Sequence, residues 1–202
     1  ATIYNYRNAL SVNQGSDDCT TTWNLPTGRA RTEYLIEQAI NDGANIISIS
    51  SSYADSHNSS MRWAISRATV AGVPIVASVG NDSEYNPDDE LGMWGGVIGV
   101  AALEQDGTVA DYSNYGDGVT LAAIGEINGR SSIDGKLYKT SGTSYASPMV
   151  AGFLALAWQR FSGGEVSVYQ VLQAVLATAW GTNGQWNERT GYGEINPAAL
   201  LA

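Results

Sequence analysis

The sequence predicts an α/β domain with three layers, in which a mostly parallel, twisted sheet carries helices on both faces. Several short segments are apolar throughout and lack polar alternation, which is typical of strands buried on both faces. Segments with apolar residues at every third or fourth position lie between such strands and predict connecting helices. With 202 residues, 44% of them hydrophobic, the chain can bury a sizeable core in one domain.

These two patterns predict the elements in chain order. The unbroken apolar or β-branched segments predict strands at 2–6, 44–50, 73–79, 96–103 and 119–123. The segments with helical spacing predict helices at 32–42, 59–71, 144–160 and 167–179, and a short helix from 197. A polar, turn-rich segment at 11–29 and an acidic segment at 82–90 predict loops.

Local signals mark several helix ends. Gly43 and Gly72 follow helical patterns at the position where a glycine commonly ends a helix. Ser167 and Gln170 form a capping-box pair, and Pro197 stands at the first position of the last helix. The helix at 144–160 is small and apolar nearly all round, so we expect it to be buried.

Charge and cysteine content exclude some classes of function. Ten basic residues against twenty acidic ones give a net charge of −10, which argues against nucleic acid or an anionic membrane as a partner. The single cysteine, Cys19, excludes an internal disulfide framework and a cysteine-rich zinc site. We expect Cys19 to be an ordinary loop or partly buried thiol.

Ser144 is the first candidate for a catalytic residue, because it stands at a predicted helix start directly after Gly142 and Thr143. Small neighbours hold a serine rigidly there, and backbone N–H groups and the positive helix end lie close to it. A nucleophilic serine needs these conditions. A serine at a helix start is also a common N-cap, and the local sequence leaves both interpretations open.

Residues 142–152 extend this candidate into a motif. They read Gly-Thr-Ser-x-Ala-Ser-Pro and then, from 150, Val-Ala-Gly, which resembles the serine motif of the subtilisin-like serine proteases, or subtilases. The segments 42–50, 71–81, 97–102, 110–116 and 191–199 resemble other parts of the same catalytic domain, in the family's order. The resemblance covers essentially the whole chain and implies a subtilisin-like fold.

The resemblance also implies roles for individual residues. Ser144 corresponds to the nucleophile, and Asn81 to the residue that donates a hydrogen bond to the oxyanion together with the Ser144 N–H. An extended peptide would lie along the backbones of two cleft segments, as an added strand. The implied substrate-binding residues are Ser48, Ser50, Ser51, Ser52, Tyr53, Ala77, Ser78, Val79, Gly80 and Thr143.

Two members of the catalytic triad have no counterpart in this chain. The family carries an Asp after its first strand and a His at a helix start, upstream of every segment that matches here. Residues 1–7 resemble the strand after that helix, so we expect 1–202 to form a single domain equivalent to the C-terminal two-thirds of a subtilase. We expect the only histidine, His57, to lie at the surface or the cleft rim rather than to act as the base.

Two further departures from the family concern the cleft and its neighbouring loop. Tyr53 stands where the family has glycine, and its bulk would narrow the specificity pocket. The acidic loop could hold calcium, but it lacks a recognisable loop signature, so we expect a solvated loop, no metal site and no cofactor. The acidic residues concerned are Asp82, Glu84, Asp88, Asp89 and Glu90.

We expect a serine endopeptidase that cleaves peptide or protein substrates by acyl-enzyme chemistry, with Asp and His on an upstream segment or a second chain. The alternative is a non-catalytic subtilase-like domain, a pseudoprotease, with a peptide-binding or structural role. An unrelated α/β domain, or a hydrolase that uses Ser144 with other groups, is the remaining interpretation. Because family members are mostly secreted, we expect an extracellular or periplasmic location.

Overall fold

A parallel sheet of four strands forms the centre of the computed structural model, which describes residues 2–3, 28–51, 59–130, 134–161 and 166–201. The strands are β1 (Ile47–Ile49), β2 (Ile75–Ser78), β3 (Val97–Leu103) and β4 (Val119–Ile124). They lie in the order β1-β2-β3-β4, and each neighbouring pair is parallel. This confirms the predicted parallel sheet, although β1 and β2 are shorter than the apolar segments that predicted them.

The described residues contain five α-helices, at the positions that the sequence predicted. They are α1 (Gly28–Asn41), α2 (Ser59–Val70), α3 (Thr143–Phe161), α4 (Val168–Thr178) and α5 (Pro197–Leu201). Gly43 and Gly72 follow α1 and α2 with φ of +79° and +76°, the conformation that favours glycine after a helix. Ser167 and Gln170 form the predicted capping box before α4.

The two faces of the sheet bury different helices, which confirms the three layers. Ile75 and Ala77 of β2 belong to a core cluster with α1 and α2. Val76, the residue between them, belongs to a second cluster with α3 and α4. Since successive side chains of a strand point to opposite faces, β2 is covered on both sides.

The links on either side of β3 differ from the prediction that single helices connect the strands. The link from β2 to β3 contains only a short 3₁₀ helix, Leu91–Met93, and the link from β3 to β4 contains turns. In the link from β3 to β4, buried polar side chains bind the backbone of the sheet: the Ala102 N–H donates to Ser113 Oγ over 3.1 Å. They satisfy backbone groups that would otherwise be buried without partners.

A two-stranded antiparallel hairpin, β5 (Glu126–Arg130) and β6 (Leu137–Ser141), was missing from the prediction. Its residues are largely polar and mostly exposed or half-buried, so they lack the apolar signal of the central strands. β6 leads directly into α3 and therefore sets where Ser144 lies.

Two other predictions need correction. α3 is not buried all round, since Met149 and Leu156 are 42% and 64% exposed while its opposite face packs in the core. α1 begins at Gly28, so residues 28 and 29 of the predicted loop 11–29 are helical. The rest of that loop, Cys19, and residues 4–6 of the predicted first strand lie outside the described residues.

Candidate active site

Ser144 is the second residue of α3 and is partly buried. The turn before it is anchored by two backbone hydrogen bonds, from Gly142 N–H to the Gly125 carbonyl (2.9 Å) and from Tyr145 N–H to the Gly142 carbonyl (3.0 Å). The first N–H groups of an α-helix have no acceptor within the helix, so the Ser144 N–H is available to a ligand. The first turn of α3 carries no acidic side chain, which leaves the positive end of the helix uncompensated.

Asn81 lies against this helix start. Its Oδ1 accepts hydrogen bonds from the Thr143 N–H (2.8 Å) and from Thr143 Oγ1 (3.0 Å). Because a backbone N–H can only donate, these contacts orient the side-chain amide with its oxygen towards Thr143. The amide nitrogen is turned away from Thr143, and no residue in the described part of the chain accepts a hydrogen bond from it.

The Asn81 amide therefore contacts the residue that directly precedes Ser144, at the helix start where the first N–H groups have no acceptor within the helix. Backbone N–H groups and side-chain amides are the kinds of donor that can stabilise the negative oxygen formed when a nucleophile adds to a carbonyl. The structure thus brings together two residues, 81 and 144, that the sequence placed in one site. Ser147, one turn further along α3, is wholly buried, so only Ser144 of the two is accessible.

Asn114 holds the turn that carries Asn81, a role that the sequence analysis missed. Its Nδ2 donates to the Val79 carbonyl (2.9 Å), and its backbone N–H donates to the Gly80 carbonyl (3.1 Å). Its Oδ1 accepts from the backbone N–H groups of Asp82 (2.9 Å) and Glu84 (2.8 Å). This wholly buried side chain thus fixes the backbone on both sides of Asn81. In the sequence, the only indication of a role for Asn114 was its position in segment 110–116, which resembles the family.

The predicted cleft residues within 48–51 and 77–80 lie at the carboxyl ends of β1 and β2, whereas Thr143 is the first residue of α3 and is wholly buried. These ends meet at one edge of the sheet because the strands are parallel. Ser48 and Ser50 are exposed and Ser51 is half-buried, whereas the segment from Ala77 to Gly80 is buried. Ser52, Tyr53 and His57 lie outside the described residues.

Tyr112 packs near Gly125 and Gly142, just before the start of α3. A Cβ added to Gly125 would lie 2.9 Å from Tyr112 Oη and 3.1 Å from the Gly142 carbonyl oxygen, so a glycine at 125 permits this close packing. Burial raises the pKa of the Tyr112 hydroxyl above its usual value of 10.0. Tyr112 is therefore a neutral packing residue at physiological pH.

The acidic loop is not uniformly solvated, which corrects the prediction for one of its members. Asp82, Glu84, Asp88 and Asp89 are exposed, but Glu90 is only 4% exposed. Within the described ranges, no three His, Cys, Asp or Glu side chains are grouped so that they could hold a metal ion. None of the helices described is long and apolar enough to cross a membrane.

The described residues include no histidine, so they supply no imidazole base for Ser144. This part of the chain therefore shows a serine at a helix start with the Asn81 amide against it, without the nucleophile–base hydrogen bond of a complete triad.

Comparison with known proteins identifies the family. The model of the subtilase family matches residues 14–193. The chain belongs to the subtilase family. Subtilases are serine peptidases, and the parallel sheet with helices on both faces is the fold of this subtilase chain.

Curated relatives are proteases of bacteria. The chain is 37% identical over 127 residues to the thermostable alkaline protease of Halalkalibacterium halodurans, a match that covers 62% of this chain and 34% of the relative. It is 34% identical over 165 residues to the extracellular protease of Xanthomonas campestris, covering 78% of this chain and 28% of that protein. The matched region thus spans about a third of the length of these relatives.

Solved structures show the same fold. The prenylagaramide maturation protease PagA superimposes with a TM-score of 0.74 at 28% identity, covering 89% of this chain and 69% of that one. MycP1 from Mycobacterium smegmatis gives a TM-score of 0.72 at 26% identity, covering 87% of this chain and 55% of that one.

Proposed function

We propose that this subtilase chain carries the nucleophilic half of a serine endopeptidase, with Ser144 as the nucleophile. The pair of hydrogen bonds from Thr143 to Asn81 Oδ1 carries this proposal. It fixes the amide nitrogen of Asn81 as a donor beside the helix start that presents Ser144. If Ser144 served only as an N-cap, it would not require an amide donor from Asn81, in the turn after β2, beside it.

The reaction that these groups support is acyl transfer. Ser144 Oγ adds to the peptide carbonyl while a base takes its proton, and the carbonyl oxygen becomes an oxyanion bound by the Ser144 N–H and Asn81 Nδ2. The C–N bond then breaks, the amine leaves with the proton, and an ester to Ser144 remains. Water repeats the addition, which releases the acid and restores the hydroxyl.

The cleft accounts for the class of substrate. β1 is the edge strand of the described sheet, so its backbone at 48–51 can pair with an extended peptide. The buried segment from Ala77 to Gly80 forms the other wall and ends at Asn81. We infer that the substrate is a peptide or an extended segment of a protein, with Ser52 and Tyr53 contributing to the same cleft.

The histidine base and its orienting aspartate lie, in this proposal, on a segment outside these 202 residues. That segment is either upstream in the same polypeptide or part of a second chain. The family membership supports such partners, because the family's triad contains both residues. An extracellular or periplasmic location is part of the same proposal, supported by the extracellular protease among the relatives.

A non-catalytic, peptide-binding domain is the second candidate. The observation that favours it is the absence of a histidine from the described residues. Without a base, the hydroxyl of Ser144 is a weak nucleophile, while the edge of β1 and the donors at the helix start could still bind a peptide.

A hydrolysis assay distinguishes the endopeptidase from the peptide-binding domain. The native protein, purified from its source, is incubated with casein and with fluorescence-quenched peptides. We expect hydrolysis that Ser144→Ala abolishes and that Ser66→Ala, an exposed serine on α2, leaves unchanged. Peptide binding without any hydrolysis by folded native protein would contradict the enzyme and support the binding domain.

A further inference from the structure

We propose that a pocket between α1 and α2 binds the guanidinium group of an arginine side chain that another protein segment presents. The pocket has a volume of about 560 Å³ and opens to the solvent. None of the residues that line it belongs to the candidate active site, so the inference does not depend on the proposed peptidase activity. The lining residues are Glu33, Tyr34 and Glu37 of α1, and Ser59, Ser60, Trp63 and Ala64 of α2.

Two carboxylates of α1 form the acidic side of this pocket. Glu33 and Glu37 are half-buried and stand four residues apart, so their side chains are neighbours on one face of the helix. One oxygen of each carboxylate, Oε1, is buried and accepts no hydrogen bond from the described residues. Buried polar atoms without a partner are rare in proteins, so this pair of carboxylates has unused capacity to bind a donor.

A ligand in the pocket can reach both carboxylates. The Glu37 side chain is 20% exposed, and the side chains of Glu33 and Glu37 both contribute to the pocket wall. Solvent screens a half-buried charge less than a fully exposed one, so its attraction for a cation is stronger. Two like charges four residues apart on a helix also repel each other. A cation beside them would therefore offset this repulsion.

Two exposed aromatic side chains indicate which kind of cation the pocket suits. Tyr34 and Trp63 line it and are 60% and 57% exposed. The faces of tryptophan and tyrosine rings attract organic cations such as guanidinium and ammonium groups. A hard metal ion takes oxygen ligands and would make no use of the rings. Carboxylates and aromatic rings in one pocket therefore favour an organic cation.

Arg67 of α2 shows how a guanidinium group binds to residues of this pocket. Its Nη2 lies 3.3 Å from Glu37 Oε2, and its Cζ lies 5.2 Å from the centre of the Trp63 ring. Within the described residues, this ion pair neutralises Glu37 and leaves the charge of Glu33 for a ligand. A guanidinium group from outside suits the same combination, because its planar fork fits a carboxylate and its face fits an aromatic ring.

Titration with N-acetylarginine amide, followed by nuclear magnetic resonance of the tryptophan indole N–H groups in the full-length protein, tests the inference. The comparison ligand is N-acetylcitrulline amide, which has nearly the same shape without the charge. We expect the Trp63 signal, identified by its loss in Trp63→Phe, to shift with both ligands. The dissociation constant should be at least about fivefold lower for the arginine amide. Equal constants, or a Trp63 signal that the arginine amide leaves unchanged, would overturn the inference.

Two variants assign the preference to the pocket. Glu33→Gln should bring the two dissociation constants to within about twofold, because it removes the charge and keeps the shape. Glu188→Gln is the matched control and should keep the preference, since Glu188 is exposed and does not line the pocket. A preference that survives Glu33→Gln in a protein with native circular dichroism contradicts the inference. Since this binding needs no catalysis, the preference in a protein that hydrolyses no peptide would refute the enzyme and support the pocket.

Discussion

At the scale of single residues, Asn81 has two roles that use opposite ends of one amide. Its oxygen accepts from the N–H and hydroxyl of Thr143 and so fixes the start of α3, while its nitrogen is the proposed oxyanion donor. The sequence placed Asn81 in the site through a resemblance, but could not reveal the first role. That role depends on a contact between residues 62 positions apart in the chain.

Asn81→Asp separates the two roles. The carboxylate keeps an acceptor for Thr143 and adds a negative charge at a helix N-terminus, which is favourable for stability. It removes the donor and repels the oxyanion. We expect the melting temperature to be retained and the kcat for peptide hydrolysis to fall by at least about 10²–10³-fold, the loss known from the corresponding donor of subtilisin.

Asn81→Ala is the companion variant, since it removes the acceptor as well. It should lose about 1 kcal/mol of stability, as does the loss of a helix cap, in addition to the loss of rate. Full activity in Asn81→Asp would refute the oxyanion role, and a large drop in its melting temperature would refute the separation of roles.

At the scale of elements, the strand ends and the loops that follow them position the site. The periodicity of the sequence located the helices that have one apolar face, such as α2, whose buried residues Met61, Ala64, Ile65 and Ala68 recur at the three- or four-residue spacing of a helix. It did not locate the β5–β6 hairpin, because polar and exposed strands carry no comparable signal. It also did not show that Ser113 and Asn114 replace a connecting helix, because this depends on hydrogen bonds between distant segments.

Gly99 tests how tightly the central strands are packed near the site. A Cβ at this position of β3 would lie 2.1 Å from the Gly92 carbonyl oxygen and 2.4 Å from that of Gly118. Both neighbours are backbone atoms, so they cannot move as a flexible side chain would. We expect Gly99→Ala to destabilise the protein by about 1–3 kcal/mol or more in chemical denaturation, as overpacking does.

Gly95→Ala is the matched control, because no atom lies within 4 Å of the corresponding Cβ. It should change stability by less than about 0.5 kcal/mol, as exposed substitutions commonly do. Equal stability of the two variants would contradict the close approach of the strands and links described around β3.

At the scale of the whole molecule, the three-layer architecture followed from the sequence because β2 and β3 are apolar on both faces and α1 to α4 pack on one face or the other. The prediction that α3 is buried on all sides was wrong. Its small apolar residues suit a buried position, yet Met149 and Leu156 are exposed in the described chain. Composition therefore indicates how apolar a helix is, but not which of its sides has a neighbour.

The site is complete at this scale only if a base reaches Ser144. Ser144 lies at the start of α3, and Asn81, the proposed second donor, lies in the turn that follows β2. Histidine and aspartate remain the proposed contribution of another segment. The activation of Ser144 is thus the property of the whole protein on which the proposed function depends.

Labelling of the native protein with a fluorophosphonate probe, followed by intact mass and peptide mapping, tests this claim most directly. The probe reacts with activated serines and forms a phosphonyl ester, so it reports on the base as well as on the nucleophile. The proposed function predicts one label per chain, on Ser144 and not on the buried Ser147 or any other serine, and no label on Ser144→Ala. No label on a folded, monodisperse native sample would contradict it.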